Sequence, residues 1–358
     1  MDAVELALLC HEALAVEARR ALLAARAAGA GEEELCRLAG GALAEDGRLR
    51  EDLLPGGRRR RRWEELAREL VEGPLALLRP GWPDYPPRLA ALARPPDPLF
   101  ALGRPELAAA DCVALVGTRR PDEEGRRWTA RAARALAGSG LVVVSGGAAG
   151  IDAQAHRAAG LERTVAVLGA GFARPYPGEH RGLFAEIARQ GLLLSEWPPW
   201  TRPDTWRFPR RNRVIAGLCR AVVVVQAPAR SGALNTAHHA AEEGREVLVC
   251  PGRGGDPLYR GSHRLLREGA RLVDGVEDLL EDLGGLPFWG GPAPMAPPPV
   301  RQGREDDPLW GALERPRTRD ELAALLGLEA GALAGRLLEE ELAGRLRSLP
   351  GDRWERCA

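Results

Sequence analysis

The stretch CVALVGTRRPDEEGRRWTARAARALAGSGLVVVSGGAAGID, Cys112 to Asp152, decides the fold. Two apolar runs inside it, Cys112 to Val116 and Leu141 to Val144, are too short for helices and too continuous for a half-exposed sheet. They suit parallel strands buried on both faces. Each ends at a glycine-bearing turn: Gly117-Thr118-Arg119-Arg120 after the first, Ser145-Gly146-Gly147-Ala148-Ala149-Gly150 after the second. The turns therefore fall at the carboxyl ends of neighbouring strands, where open α/β sheets bind their ligands. N–H groups at the following helix starts favour anions, and Arg119 and Arg120 add positive charge. The pattern predicts a ligand that carries phosphate.

Outward from this stretch, the same rhythm continues. Val165 to Leu168, Leu192 to Leu194, Ala221 to Val225 and Glu246 to Val249 read as further strands. Helices are predicted over 178–190, 209–219 and 233–243, then a helical stretch over 259–268, a short strand near 271–273 and a helix over 276–283. Alternation of this kind means a doubly wound, mostly parallel α/β sheet. On the amino-terminal side, prolines between Gly73 and Pro98 predict a connector without long regular elements, leading into an edge strand at Leu99 to Gly103.

Four segments are expected. Residues 1–72, rich in Ala, Leu, Glu and Arg with glycine breaks, form a small helical domain. Residues 73–284 carry the sheet. Residues 285–307, rich in proline and glycine without apolar period, form a linker. Residues 308–358 read as a winged-helix domain: Thr318 and Glu321 make a capping box before Leu322, a second helix carries Leu333 and Leu337, and a hairpin follows. Its presumed recognition helix holds Glu339, Glu340 and Glu341, which would repel phosphate, so a protein contact or a structural role is favoured there.

The 358 residues carry 50 basic and 50 acidic side chains, so no overall field advertises nucleic acid and any such site must come from local clustering. Every basic residue is arginine, a compositional bias. Six scattered cysteines show no metal spacing and read as reduced core residues of a cytosolic protein. Asp2 and Glu5 spoil a signal peptide, and no apolar run reaches the roughly 20 residues of a membrane span. A cytoplasmic protein without membrane insertion is expected.

The richest site outside the opening stretch is Trp206-Arg207-Phe208-Pro209-Arg210-Arg211-Asn212-Arg213, four arginines and no acid in eight residues beside Trp200. Arginine neutralises a backbone while aromatic faces stack on bases, which is how single strands are held with little sequence preference. Trp200 and Trp206 equally suit plugs that fix a loop to the domain. Ser231-Gly232 opens another helix after a strand and offers further backbone donors, or an ordinary cap. Arg58 to Arg62 form the densest basic run, read first as a solvated loop or helix start and second as a backbone contact. No nucleophile elbow, phosphate-loop lysine or dinucleotide fingerprint occurs. Asp152 suits a helix start whatever the function, His156 one turn on could serve as an acid/base partner but is expected first on a helix surface, and adjacent His238 and His239 diverge on a helix and exclude a simple metal face. No catalysis, cofactor or metal is expected.

In order, DYPPRLAAL, LVGTRR, SGGAAGID, AVLGAGFARPYPGEH, LLLSEW, FPRRNRVIAGL, SGALNTA and HRLLREGARLV make residues 82–280 resemble the DNA-processing protein A family, also called Smf. The resemblance implies an extended Rossmann-like domain that binds single-stranded DNA, dimerises and delivers the strand to RecA recombinase during natural transformation, without established catalysis. In that pattern Arg119 matches the arginine of the first turn, and Phe208 to Arg213 match the basic segment. DNA contacts are thus expected from Gly117, Thr118, Arg119, Arg120, Ser145, Gly146, Gly147, Phe208, Arg210, Arg211, Asn212, Arg213, Ser231 and Gly232. Many relatives carry a basic residue before the GID of the glycine turn, where this chain has Ala149. The family's dimer contact would fall near Ser262, Leu265, Leu266 and Leu272, residues that suit the core as well. Two rival readings are a Rossmann-like nucleotide hydrolase, which carries a PGGxGT turn where this chain has SGALNTA, and a winged-helix regulator of duplex DNA.

Overall fold

A computed structural model of the chain describes residues 1–11, 14, 16–39, 47–285, 308–313, 315–328, 333, 337, 346–349 and 353–356. The chain divides into two compact units, 1–292 and 293–358.

The apolar runs of the first unit form a nine-stranded sheet, with β1 Leu75–Leu78, β2 Leu99–Gly103, β3 Cys112–Val116, β4 Val142–Ser145, β5 Thr164–Leu168, β6 Leu192–Ser195, β7 Ala221–Val224, β8 Glu246–Val249 and β9 Arg271–Leu272. Their spatial order is β1-β2-β6-β5-β4-β3-β7-β8-β9. All pairs from β6 to β9 are parallel, whereas β1–β2 and β2–β6 are antiparallel. The chain runs outward from β3 in one direction through β4, β5 and β6, then returns to β7 on the other side. The sheet thus has its switch point between β3 and β7, where Val113 stands opposite Ala221.

Both faces of the central strands are covered, which is why their sequences lack a polar alternation. Ala114, Val116, Val144 and Val222 point into one cluster, and Val113, Leu115, Val143 and Val223 into the other. Small side chains at the packing face of the Glu123–Gly138 helix, Ala132 and Ala133, let it lie close to the sheet.

The connector before the sheet is more ordered than its prolines suggest. Leu75–Leu78 is the true edge strand, with Leu78 opposite Leu99, so Leu99–Gly103 is an inner strand. A short helix, Pro87–Ala90, starts with proline at its first position, where the missing N–H costs nothing. The helices of residues 1–72 share one core with this end of the sheet: Leu6, Leu35, Leu53, Trp63 and Leu66 pack with Leu75, Leu77 and Phe100. Arg58–Arg62 begin the Arg58–Glu72 helix. Arg59 there pairs with buried Asp52 at 2.8 Å and Arg60 with Glu64 at 3.0 Å, so part of the basic run is structural.

In the second unit the described residues form helices Pro308–Ala312 and Arg319–Leu326 and a small sheet, with β10 Arg317–Thr318, β11 Leu346–Leu349 and β12 Arg353–Arg356 in the order β10-β12-β11. Thr318 and Glu321 form the reciprocal capping box, worth about 1 kcal/mol. Leu309, Leu322, Leu333, Leu337 and Trp354 share its core. The 286–307 part of the linker and Glu339 to Glu341 lie outside the described residues.

Candidate nucleic-acid interface

At the switch point lies a cleft of about 750 Å3. The turn after β3 supplies Gly117, Thr118, Arg119 and Arg120 to its wall, and the segment after β7 supplies Arg230, Ser231 and Gly232. Phe208, Arg211 and Asn212, from the Arg207–Leu218 helix, line it as well. Arg119, Arg120 and Arg230 are exposed and form no ion pair among the described residues. The cleft's one lining carboxylate, Asp152, is buried and occupied: its Oδ2 accepts from the N–H of Gly146 and of Ala148, each at 3.2 Å.

The glycine turn after β4 is clamped from below. Arg211 is buried in spite of its charge, and its Nη1 donates to the carbonyl of Gly146 at 2.6 Å and to that of Val167. Burial pulls the Arg211 guanidinium down to about 10, with neighbouring Asp152 opposing the shift. Burial likewise raises the Asp152 carboxyl above its ordinary range, and Arg211 and the turn N–H groups oppose it. A side chain at Gly146 would put its Cβ 2.6 Å from Arg211 Nη2, so the close approach demands glycine. Gly150, at a φ of 83°, lets the chain turn into the Ile151–Ala159 helix beside the carbonyl of Thr118.

The geometry separates the residues that the sequence groups together. Ser145 is wholly buried, its Oγ donating to Leu115 O at 2.6 Å, and Gly147 is buried against Phe184, so neither offers a surface to a ligand. The N–H of Thr118 is taken by Gln226 O at 2.7 Å and that of Gly146 by Asp152. The turns therefore present fewer free backbone donors than their glycine content suggests. Arg213 donates to Arg94 O at 2.7 Å and pairs with Glu196, whose side chain is 5% exposed. That pair makes Arg213 the counter-charge of an acid 17 positions upstream. Arg210, one turn from Arg213's neighbours, is exposed. Asn212 Nδ2 donates to Asn235 Oδ1 at 3.0 Å and to Gly232 O at 3.3 Å, joining two walls of the cleft. Ser231 caps the Gly232–Glu242 helix, accepting from Ala233 N, while Gly232 stays exposed.

The aromatic residues also divide. Trp200 plugs: it meets Trp63 edge-on at 4.8 Å beside the helical core. Trp206 is 43% exposed, with the Arg207 guanidinium 4.6 Å above its ring, a stacked and electrostatically favourable pair. Phe208 lies over Gly169 and stands 5.4 Å from Tyr176, a cleft residue that the sequence reading passed over.

His156 is buried, contrary to its expected place on a helix surface. Its Nδ1 lies 2.6 Å from Thr164 Oγ1, and that hydroxyl donates onward to Val143 O at 2.9 Å. The hydroxyl proton being spent, His156 Nδ1–H is the donor, and burial, which lowers its pKa to about 3, keeps the ring neutral. Ser262 and Leu265 are also core: Ser262 Oγ accepts from Ala227 N at 3.1 Å, and Leu265 is 4% exposed. Neither can face a second copy, whereas Leu266 is partly covered and Leu272 is 50% exposed on the outermost strand. Among the described residues no group of His, Cys, Asp and Glu could hold a metal ion, and no helix is long and apolar enough to cross a membrane.

The family model of DNA recombination-mediator protein A matches residues 76–284, the sheet from within its first strand onward together with the cleft. The chain belongs to that family. A second model, the DprA winged helix domain, matches residues 292–352, in line with the capped helix and small sheet of the second unit. Among curated members, Protein Smf of Synechocystis sp. is 36% identical over 318 residues, spanning 78% of this chain and 79% of its own. DNA processing protein DprA of Bacillus subtilis is 40% identical over 202 residues, 56% of this chain and 68% of that one. The X-ray structure of DprA from Streptococcus pneumoniae superposes with a TM-score of 0.64 at 31% identity, covering 79% of this chain and 98% of that chain. DNA processing protein A from Helicobacter pylori, solved for its single-stranded DNA binding mode, gives 0.54 at 31% identity, over 58% and 95% respectively. The family membership accounts for the mostly parallel sheet and for the winged-helix unit alike.

Proposed function

We propose that this chain binds single-stranded DNA along the switch-point cleft and acts on it without catalysis. The observation that carries the reading is the cationic rim of Arg119, Arg120 and Arg230, without ion pairs among the described residues, around a cleft whose one lining carboxylate is engaged internally. A phosphodiester chain is the polyanion such a rim suits, and Phe208 and Tyr176 add ring faces for unpaired bases. The single-stranded DNA binding of the Helicobacter pylori relative supports it. Arg210 extends the charge from the start of its helix. Arg211, Asn212 and the turn at Gly146 hold the wall in shape, and Arg213 secures the helix through Glu196.

In the cell, the bound strand would pass to RecA recombinase during recombination, including natural transformation, in the cytoplasm. The protein would act there as a homodimer, with Leu272 and Leu266 as the accessible apolar residues near the open sheet edge. A competition between a labelled single strand and the same sequence as duplex tests the binding reading. Preference for the single strand supports it; equal or stronger duplex binding favours a duplex regulator. Incubation with nucleoside monophosphates tests the absence of catalysis, since release of free base would reveal a hydrolase.

A further inference from the structure

Beside the cleft, a hollow of about 250 Å3 opens between the glycine turn after β4 and the segment 176–179. Ala148, Ala149, Tyr176 and Phe208 give it apolar walls, and Glu179 lines it too. Clefts for drug-sized ligands run to about 300–1,000 Å3, so this one has room for a single ring system rather than a whole nucleotide. Arg119 lines both hollow and cleft, so a backbone held by that arginine runs past the opening of the hollow.

The acids around the two cavities differ. Asp152 is spent on two N–H groups of the turn. Glu179 is exposed and forms neither hydrogen bond nor ion pair among the described residues. An ionised carboxylate only accepts hydrogen bonds. Of the four bases, guanine alone presents two adjacent donors, N1–H and the N2 amino group, on its pairing edge. Adenine and cytosine present one amino group beside an acceptor, and thymine one imino group between two carbonyls. A cation at position 149 would line the same hollow and compete for Glu179; Ala149 leaves the carboxylate available.

We infer that the hollow takes one unstacked base of the bound strand and that Glu179 is a specificity-determining residue, favouring guanine by accepting from both of its edge donors. This rests on the single-strand reading above, and stacking against Tyr176 and Phe208 would hold the base in place.

The test is an anisotropy titration of the full chain with labelled TTG-repeat DNA and with oligothymidine of equal length, in lithium salt so that the guanine strand stays unpaired. The guanine strand should bind about fivefold or more tightly, as a bidentate pair warrants. Glu179→Ala should shrink the ratio to within about twofold, and inosine in place of guanine should lose part of the preference. Equal binding of both strands by the unaltered chain would overturn the base readout and leave the single-strand reading standing; so would a preference that survives Glu179→Ala. Binding of neither strand would overturn both.

Discussion

Arg211 and Gly146, 65 positions apart, meet under the floor of the cleft: Nη1 of the arginine donates to the glycine carbonyl at 2.6 Å, with no space between them for a Cβ. The contact ties the Arg207–Leu218 helix to the turn after β4, and thereby fixes the wall that carries Phe208 and Asn212 relative to that glycine turn. An arginine that sequence alone reads as a phosphate ligand is here part of the frame. Gly146→Ala should lower stability by about 1–3 kcal/mol, the usual cost of overpacking. Thermal unfolding checks it, and an unchanged melting temperature would mean that the turn yields freely.

Arg213 and Glu196 make a second such prediction. Removing the arginine leaves a nearly buried carboxylate without its counter-charge, which typically costs about 3 kcal/mol or more. Arg213→Ala should therefore destabilise the chain strongly, and Glu196→Gln in the same chain should recover much of the loss. A denaturant-based double-mutant cycle measures the coupling; additive losses would contradict the pairing.

The buried imidazole of His156 predicts a pH dependence. Burial holds its pKa down at about 3, below its ordinary value of 6.5, so the unfolded chain takes up a proton that the folded chain refuses. A depressed folded value means stability present above about 6.5 and lost as pH falls toward about 3. Between pH 7 and pH 5 the loss from this residue is about 2 kcal/mol. Replacing His156 by Gln should flatten that part of the stability profile, as read by urea unfolding at each pH.

Phe208 carries a ring rather than a charge into the cleft. Its replacement by Leu, which preserves bulk over Gly169, should weaken oligothymidine binding by about 1–3 kcal/mol if a base stacks there, and leave the salt dependence as it was. A changed salt slope would mean that the ring acts by positioning arginines.

Most of the sheet was legible because the strands are buried on both faces: runs such as Val142–Ser145 and Ala221–Val224 leave little choice of structure. Leu75–Leu78 was not, since four residues among prolines carry no period, and only its antiparallel partner at Leu99 gives it a place. The cleft was legible through its turns, and Arg119 and Arg120 stand where their position after β3 predicts. The separation of the arginines was not. Glu196 lies outside the basic segment, and the carbonyls of Gly146 and Val167 belong to a turn and a strand far from the helix in sequence, so the partners of Arg211 and Arg213 exist only in three dimensions. His156 was hidden for the same reason: its neighbour Thr164 opens the next strand.

The central claim is that the exposed arginines at the cleft, Arg119, Arg120 and Arg230, grip a single strand's phosphates. Its most direct test is the dissociation constant of labelled oligothymidine measured across a salt series, for the unaltered chain and for Arg119→Ala, Arg120→Ala and Arg230→Ala separately. Each replacement should weaken binding and reduce the log–log salt slope by about 0.7, the value for one single-strand phosphate contact. Affinities and slopes that stay the same in all three variants would contradict the account.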